Sequence, residues 1–231
     1  MQLSKRMQAV ANLITPGDSL ADVGTDHGYI PIYAVEEKIV ERAIAMDINR
    51  GPIERAASHI AEHGLEAYIE TRCCDGVADL KAGEVQTVVI AGMGGGLMQK
   101  ILEEGCEVLA TVSEVILQPQ SEIEKFRYYL AENGWYIEKE DMVFEDGKYY
   151  PMMRAVHGNM EISDVLFGKF GIYLLKDQNP VLKDYLNKSL ETNQMILQQL
   201  YDNGRTEDDV RVKEIKEEMQ YMKTALKYYE M

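Results

Sequence analysis

The feature that most constrains the fold is a regular alternation of short apolar runs with helical stretches over the first 130 or so residues. Each apolar run stops at a glycine or a polar residue; the runs cover 19–23, 42–47, 67–75, 86–96 and 114–120. Helical patterns cover 50–63 and 97–104 between runs, and 122–133 after the last. Strand, helix, strand at this pace predicts an α/β fold with a parallel sheet and right-handed crossovers.

The segment after these runs predicts an antiparallel strand pair. Residues 135–156 carry "EDGK" at 145–148. Asp-Gly is a strong signal for a two-residue hairpin turn. We therefore expect a hairpin that closes the sheet.

The composition changes after Gly158, where two helical seams follow. Apolar residues recur from Leu182 to Leu200, and from Val212 to Tyr229 they recur in steps of three and four. Such steps place apolar side chains along one side of a helix. Asn203-Gly204 between the seams is typical of a helix end. The sequence predicts two domains, 1–157 and 158–231, the second a coiled-coil-like antiparallel helical hairpin that packs, clamps a large substrate or serves as a dimer arm.

Charge and cysteine content restrict the class of protein. The 231 residues carry a formal net charge of −15 and three cysteines, of which Cys73 and Cys74 are adjacent. This predicts no disulfide framework and no metal knuckle, and we expect a cytoplasmic protein. No apolar stretch suits a signal peptide or a membrane span, so we expect no membrane association. An acidic chain is a poor general binder of nucleic acid, and any such contact needs a local basic patch.

The stretch "DVGTDHGYIPIY" at 22–33 is a glycine loop that follows the first apolar run. A dinucleotide-binding loop has a glycine at its centre, where backbone approaches a pyrophosphate. Here Asp26 occupies that place, and its charge would repel phosphates. S-adenosylmethionine has no phosphate, and its sulfonium and ammonium groups are cationic, so a carboxylate attracts it. Alternatively, Asp26 caps the next helix.

Three further strand ends carry residues suited to the same ligand. Asp47 lies roughly 20 residues beyond the loop, where such folds bind ribose hydroxyls. Asp75, followed by Gly76, can accept a hydrogen bond from an adenine amine. Gly92 and Met93 end the fourth run, where bare backbone can approach a transferring methyl group. Glycine and Asp-Gly turns also end strands for conformational reasons alone, but four successive ends favour a ligand site.

With these residues, the chain resembles the bacterial tRNA (adenine-22-N1)-methyltransferase family over nearly its whole length. The resemblance rests on "LADVGTDHGYIPIY", "AMDIN", "CCDG", "AGMGGGLM" and "LQPQ". It implies a Rossmann-like class I methyltransferase domain that binds S-adenosylmethionine and methylates N1 of adenine 22 in tRNA. The family pattern has Asn where this chain has Gln120. By position, the implied cofactor-binding residues are Asp22, Gly24, Asp26, His27, Asp47, Asp75, Gly76, Gly92 and Met93.

The acceptor chemistry also follows from the fourth strand end. Methyltransferases that act on exocyclic amines often carry an Asn/Asp-Pro-Pro-aromatic motif there, whereas this chain has Gly92, Met93 and Gly94. A ring nitrogen already has a lone pair, so transfer mainly needs alignment. A base is wanted only to remove the resulting positive charge. Asp26, His27 and Tyr29 are the catalytic candidates.

Other functions remain open at this stage. A methyltransferase for a small molecule or another RNA would share the first 157 residues, and a non-catalytic interaction protein would explain the hairpin but not the four strand ends. "HIAEH" at 59–63 has a metalloprotease spacing without a third ligand, so we expect solvated histidines and no metal. We expect a monomer. Candidate tRNA contacts are Lys5, Arg6, Arg50 and Arg55 near the pocket, and Lys183, Lys188, Arg211, Lys213 and Lys216 on the hairpin.

Overall fold

A computed structural model describes residues 1–230 of the chain. The chain divides into two compact units, Met1–Ile162 and a second that begins at Ser163. The domain division expected after residue 157 stays a prediction, because compactness alone does not show that either part folds independently.

The first unit is built on one seven-stranded sheet of strand order β3-β2-β1-β4-β5-β7-β6. The first five strands are parallel, and β7 pairs antiparallel with both β5 and β6. The predicted α/β fold, with its closing hairpin, is confirmed. The strands are β1 (Gly17–Val23), β2 (Val40–Asp47), β3 (Ile69–Cys73), β4 (Thr87–Met93), β5 (Glu114–Pro119), β6 (Trp135–Glu145) and β7 (Lys148–His157).

Six helices accompany this sheet in the first unit. They are α1 (Lys5–Ala11), α2 (Tyr29–Glu36), α3 (Arg50–Glu62), α4 (Gly95–Glu104), α5 (Cys106–Leu109) and α6 (Ile123–Glu132). The predicted helical stretches at 50–63, 97–104 and 122–133 correspond to α3, α4 and α6. Helix α2 is the helix expected directly after the glycine loop, although no bounds were predicted for it.

The central strands are apolar without alternation because both of their faces are covered. Val88, Val89 and Ile90 of β4 are fully buried, and β5 is buried along its whole length. Parallel strands with helices on both faces have this continuous apolar character. The register pairs Val23 of β1 with both Met46 of β2 and Ile90 of β4, so the carboxyl ends of these strands meet at one edge.

The β6–β7 turn fixes the position of helix α1. Asp146 and Gly147 have φ of 48° and 77°, the left-handed pair that a tight hairpin turn requires. Just before this turn, the carboxylate of Glu145 accepts hydrogen bonds from the backbone N–H groups of Lys5 at 2.6 Å and Arg6 at 3.2 Å. These contacts satisfy donors at the start of α1 that a helix leaves unpaired. The start of α1 is thereby tied to the hairpin.

The second unit is helical, with α7 (Val165–Phe170), α8 (Ile172–Lys176), α9 (Pro180–Asp202) and α10 (Val210–Leu226). Helices α9 and α10 pack together as the predicted hairpin. Asn179 and Asp209 cap their N-termini through side-chain oxygens. In residues 1–230, no helix is both long and apolar enough to cross a membrane. The buried seam consists of Leu182, Leu186, Leu190, Val212, Ile215, Met219 and Met222.

Candidate active site

The predicted site residues form a row along the carboxyl edge of the parallel strands. In strand order, Asp75 follows β3, Asp47 ends β2, Gly24 follows β1, Met93 ends β4 and Gln120 follows β5. Ligands of doubly wound sheets bind at this edge, where the strand order reverses between β1 and β4. The five strand ends therefore follow one another along this edge in the order β3, β2, β1, β4 and β5, from Asp75 to Gln120.

A cavity of about 210 Å³ lies at the reversal point, against helix α1. Five of the predicted site residues line it: Asp22, Gly24, Asp26, Tyr29 and Gly92. Arg6 and Gln120 line it as well. His27, Asp47 and Met93 are not among its lining residues, whereas Asp75 and Gly76 line a separate cavity of about 150 Å³.

Gly24 and Gly92 bring bare backbone to the cavity. Gly24 has φ of 78°, and a Cβ there would lie 2.1 Å from Cε of Met93. Gly92 has φ of 81°, and its Cβ would lie 3.4 Å from Nη1 of Arg6. The β4–β5 register shifts between Ala91 and Met93, so Gly92 forms an irregularity at the strand end. Both positions favour glycine through backbone conformation, and at Gly24 the space is filled by Met93.

Asp22 is the buried charge of the cavity. Burial raises the pKa of this carboxyl to about 6, and the charge of Asp47 adds to the rise, while the nearby Thr25 hydroxyl opposes it without reaching hydrogen-bond geometry. The residue is 6% exposed, and in residues 1–230 no cation lies within ion-pair distance of its carboxyl group. A buried, unpaired carboxylate is costly. A cationic ligand in the cavity would lower that cost.

Asp26 is in a different position from the one expected. Its side chain is 59% exposed, and its Oδ1 accepts from Arg55 Nη2 at 2.8 Å and Nε at 3.2 Å. The left-handed Gly28, not Asp26, precedes helix α2, and no side chain caps that helix. The helix-capping alternative is therefore wrong. Because Arg55 offsets the charge of Asp26, the attraction for a cationic ligand falls chiefly to Asp22, and cofactor binding by Asp26 stays a prediction.

His27, Tyr29 and His59 form a cluster of aromatic rings beside the loop. The His27 ring stacks on Tyr29 at 5.2 Å and on His59 at 4.9 Å between centroids. His27 Nδ1 is buried and has no hydrogen-bond partner in residues 1–230, and His59 Nδ1 lies 3.1 Å from the His27 carbonyl oxygen. His59 thus supports the loop, in contrast to the solvated residue expected. Within the described chain, no cluster of three or more metal-ligating side chains occurs.

Arg6 and Gln118 contribute to the site in a way that the sequence did not reveal. Arg6 Nη1 donates to Oε1 of the fully buried Gln118 at 3.1 Å, and its guanidinium lies 5.6 Å from the centroid of the Tyr150 ring. The sequence marked Arg6 only as a candidate tRNA contact. Its place in the cavity wall depends on the attachment of α1 to Glu145, which is distant in sequence.

The residues present fit S-adenosylmethionine. Asp22 and the two glycines suit the cationic sulfonium and amino-acid end. Asp47 Oδ1 accepts from the backbone N–H of Asn49 at 2.7 Å, and Oδ2 makes no hydrogen bond within residues 1–230, which leaves it available for a ribose hydroxyl. Asp75, one strand further, is exposed.

Comparison with known proteins supports the same assignment. Residues 3–153 match the family model described as "Methyltransferase domain". The tRNA (adenine(22)-N(1))-methyltransferase of Bacillus subtilis (strain 168) is 34% identical over 232 residues, which covers 98% of each chain.

Solved structures give the same result. The B. subtilis M1A22 tRNA methyltransferase TrmK is 32% identical, with 97% of this chain and 99% of that chain covered and a TM-score of 0.82. Streptococcus pneumoniae Sp1610 in complex with S-adenosyl-L-methionine is 33% identical, with coverage of 97% and 100% and a TM-score of 0.86. The chain therefore belongs to the tRNA (adenine-22-N1)-methyltransferase family.

Proposed function

We propose that this protein uses S-adenosylmethionine to methylate N1 of adenine 22 in tRNA, and that both molecules meet at the cavity between β1 and β4. The observation that carries the proposal is the buried carboxylate of Asp22, unpaired beside Gly24 and Gly92 in a chain of this family. When bound, S-adenosylmethionine supplies a methyl group attached to a positively charged sulfur. The negative charge of Asp22 stabilises that charge in the cavity.

The cofactor-binding residues divide by the part of the cofactor that they would hold. Asp22, Gly24 and Gly92 take the sulfonium end inside the cavity. Asp47 takes the ribose, and Asp75 with Gly76 takes the adenine at the ends of β2 and β3. Met93 covers Gly24, while Asp26 and His27 bound the loop.

Alignment is the main contribution of this chain to the reaction. Adenine N1 attacks with its own lone pair, so a base is not needed to form the bond, and holding the two partners in line lowers the entropic barrier. The adenine must first leave any base pair, because N1 lies on the Watson–Crick edge. For removal of the positive charge from the product, Asp26, His27 and Tyr29 remain the candidates. Of these, Asp26 and Tyr29 line the cavity.

The tRNA contact surface is proposed to include basic residues in both units. Lys5 and Arg50 are exposed in the first unit. In the hairpin, Lys188, Arg211 and Lys213 are each paired with an acidic neighbour, at 2.9, 3.0 and 3.4 Å. Exposed pairs contribute little stability, so tRNA phosphates can replace the acidic partners. We further propose that the hairpin clamps the tRNA, and that the enzyme acts as a monomer in the cytoplasm.

The proposed reaction is tested with an unmodified tRNA transcript that carries A22 and a matched transcript with guanine at position 22. Each is incubated with the protein and isotope-labelled S-adenosylmethionine, and the nucleosides are analysed by mass spectrometry. We expect 1-methyladenosine from the A22 transcript alone. Label in both transcripts, or in neither, would contradict the proposal.

A further inference from the structure

Gln120 stands beyond the methyl-transfer position in the row of strand ends. Asp75 and Asp47 lie on the β3 and β2 side of the cavity, and Gly92 lies at β4. With the nucleoside half of the cofactor at β2 and β3, the methyl group lies near β1 and β4. The acceptor base must then approach from the remaining side, where β5 ends and Gln120 follows.

The backbone of Gln120 is held in place by a hydrogen bond, but its side chain makes none within the described chain. Its backbone N–H donates to the Met93 carbonyl oxygen at 2.8 Å, which fixes the residue against the end of β4. Its side-chain Nε2 lies 3.7 Å from the place that a Cβ on Gly92 would occupy. The residue is exposed and lines the cavity, and its amide makes no hydrogen bond to any group within residues 1–230. Since an amide can turn over, either its oxygen or its nitrogen can face the cavity.

The neighbours of Gln120 distinguish it from the other amide at this strand end. Gln118, two residues earlier, is fully buried, and both ends of its amide are engaged, by Arg6 and by the Pro119 carbonyl. Arg6 also lies near Gly92, but it is a cation and its Nη1 already donates to Gln118. Among the side chains that line the cavity near Gly92, the Gln120 amide is the neutral group free to meet a base edge.

We propose that Gln120 is a specificity-determining residue for the acceptor, and that its Oε1 accepts a hydrogen bond from the exocyclic N6 amine of the target adenine. This inference rests on the proposed function. Gln side chains commonly recognise adenine through its N6 amine. Because N6 is bonded to C6, the ring atom next to N1, a group that holds N6 also orients N1 toward the cavity.

The same hydrogen bond strengthens as the reaction proceeds. When the N1 lone pair becomes the new nitrogen–carbon bond, the carbon–sulfur bonding pair stays on sulfur, and the adenine becomes a cation. The positive charge is shared between N1 and N6, so the N6 hydrogens become better donors. A hydrogen bond with an ionised partner is about twice as strong as a neutral one. Gln120 therefore binds the transition state more tightly than the ground state, which raises kcat.

The test combines one change in the protein with one change in the tRNA. Q120M removes the amide but keeps the length of the side chain, and Q120E keeps acceptor oxygens. The tRNA carries either adenine or purine at position 22; purine has N1 but lacks the N6 amine. Single-turnover methylation rates are measured for each combination, with S-adenosylhomocysteine affinity as a check on the fold. Q99M on helix α4, where Gln99 pairs with Glu103, is the control.

We expect Q120M to methylate the adenine tRNA roughly ten- to a hundredfold more slowly, since a good base contact is worth about that factor. On the purine tRNA, wild type and Q120M should agree within about twofold. Q120E should retain most of the wild-type rate on adenine. Equal rates for Q120M and wild type on adenine, or equal losses for Q120M and Q120E, would overturn the inference. If wild type fails to methylate A22, the proposed function fails instead.

Discussion

The carboxyl edge of the sheet and the helical hairpin satisfy their polar groups in opposite ways. At the sheet edge, Asp22 is buried without a cation, and the amide of Gln120 has no partner within residues 1–230. In the hairpin, Asn179 and Asp209 cap the two long helices. Lys216 there pairs with Glu207, and most of the other basic side chains are paired in the same way.

This difference indicates that the polar groups of the sheet edge serve ligand binding, whereas those of the hairpin stabilise the fold. A buried polar group without a partner costs stability until a ligand satisfies it, as at Asp22, whereas the exposed amide of Gln120 is hydrated in the free protein. The missing partners of Asp22 and Gln120 therefore mark the sheet edge as a ligand site. The hairpin can bind tRNA only if phosphates replace the acidic partners of its basic side chains. This replacement costs little stability, because the ion pairs are exposed.

The largest expected effect is on the stability of the hairpin. Leu186→Ala removes a fully buried side chain from the α9 seam and should destabilise the second unit by about 2–5 kcal/mol. Chemical denaturation followed by circular dichroism measures the loss. Affinity for S-adenosylhomocysteine should stay within about twofold of wild type under conditions where the variant is folded. If a folded Leu186→Ala variant no longer bound S-adenosylhomocysteine, the cofactor site would depend on the hairpin, and the contrast between the two regions would be wrong.

The next effect concerns Asp22 and depends on pH. Its pKa is about 6 in the folded chain against an ordinary 3.8, so the ionised form costs the fold roughly 3 kcal/mol above pH 6 and nothing below about pH 4. Asp22→Asn should therefore stabilise the free protein at pH 7, and the gain should vanish as the pH falls from 6 to 4. Thermal unfolding at several pH values measures it.

Ionisation of Asp22 lowers the stability of the free protein but should raise its affinity for a cationic ligand. A cationic ligand needs the ionised carboxylate, so wild-type affinity for S-adenosylmethionine should fall as the pH drops through 6. In Asp22→Asn the affinity should be weaker at pH 7 and nearly independent of pH. Calorimetric titration measures both, and an identical pH dependence in the two proteins would show that Asp22 does not face the ligand.

Asp47→Ala should have a smaller effect that is confined to binding. Loss of hydrogen bonds between a charged group and ribose should cost roughly 1.5–3 kcal/mol of cofactor affinity. Asp18→Ala is the matched control, because Asp18 is an exposed acid in β1 near its opposite end. Calorimetry that gave the same affinity for Asp47→Ala and Asp18→Ala would remove Asp47 from the site.

The smallest effect is expected at the basic residues of the hairpin. Lys213→Gln should change stability by less than about 1 kcal/mol, since its pair with Asp208 is exposed. If the hairpin clamps tRNA, this change should weaken tRNA binding and lower the salt dependence of binding by about one unit of slope. Filter binding at several salt concentrations measures both. Unchanged slopes in Lys213→Gln and Lys216→Gln would leave the hairpin as a packing element.

The strands and the glycine or acidic residues at their ends could be predicted because they depend on local sequence. Apolar runs that end at Gly24, Asp47 or Gly92 indicate strands and their carboxyl ends without knowledge of the rest of the chain. The sequence also indicated the hairpin seam, because steps of three and four residues define a helix face.

The contacts that modify those residues could not be predicted because they join distant segments. Arg55 reaches Asp26 from helix α3, and Arg6 meets Gln118 because α1 packs against β5 and β6, where Glu145 also binds its first backbone N–H groups. No periodicity in the sequence records such pairings. The charge argument from the glycine loop rested on Asp26, but Arg55 pairs with that carboxylate, whereas Asp22 is buried without a cation within residues 1–230.

The most direct test of the account is a crystal structure of the protein with S-adenosylhomocysteine bound. We predict density that runs along the strand ends, with adenine at Asp75, ribose at Asp47 and the amino-acid end beside Asp22 and Gly24. The first unit also has a larger cavity of about 440 Å³, lined in part by Trp135 and His157. Ligand in that cavity, with the strand ends empty, would contradict the account.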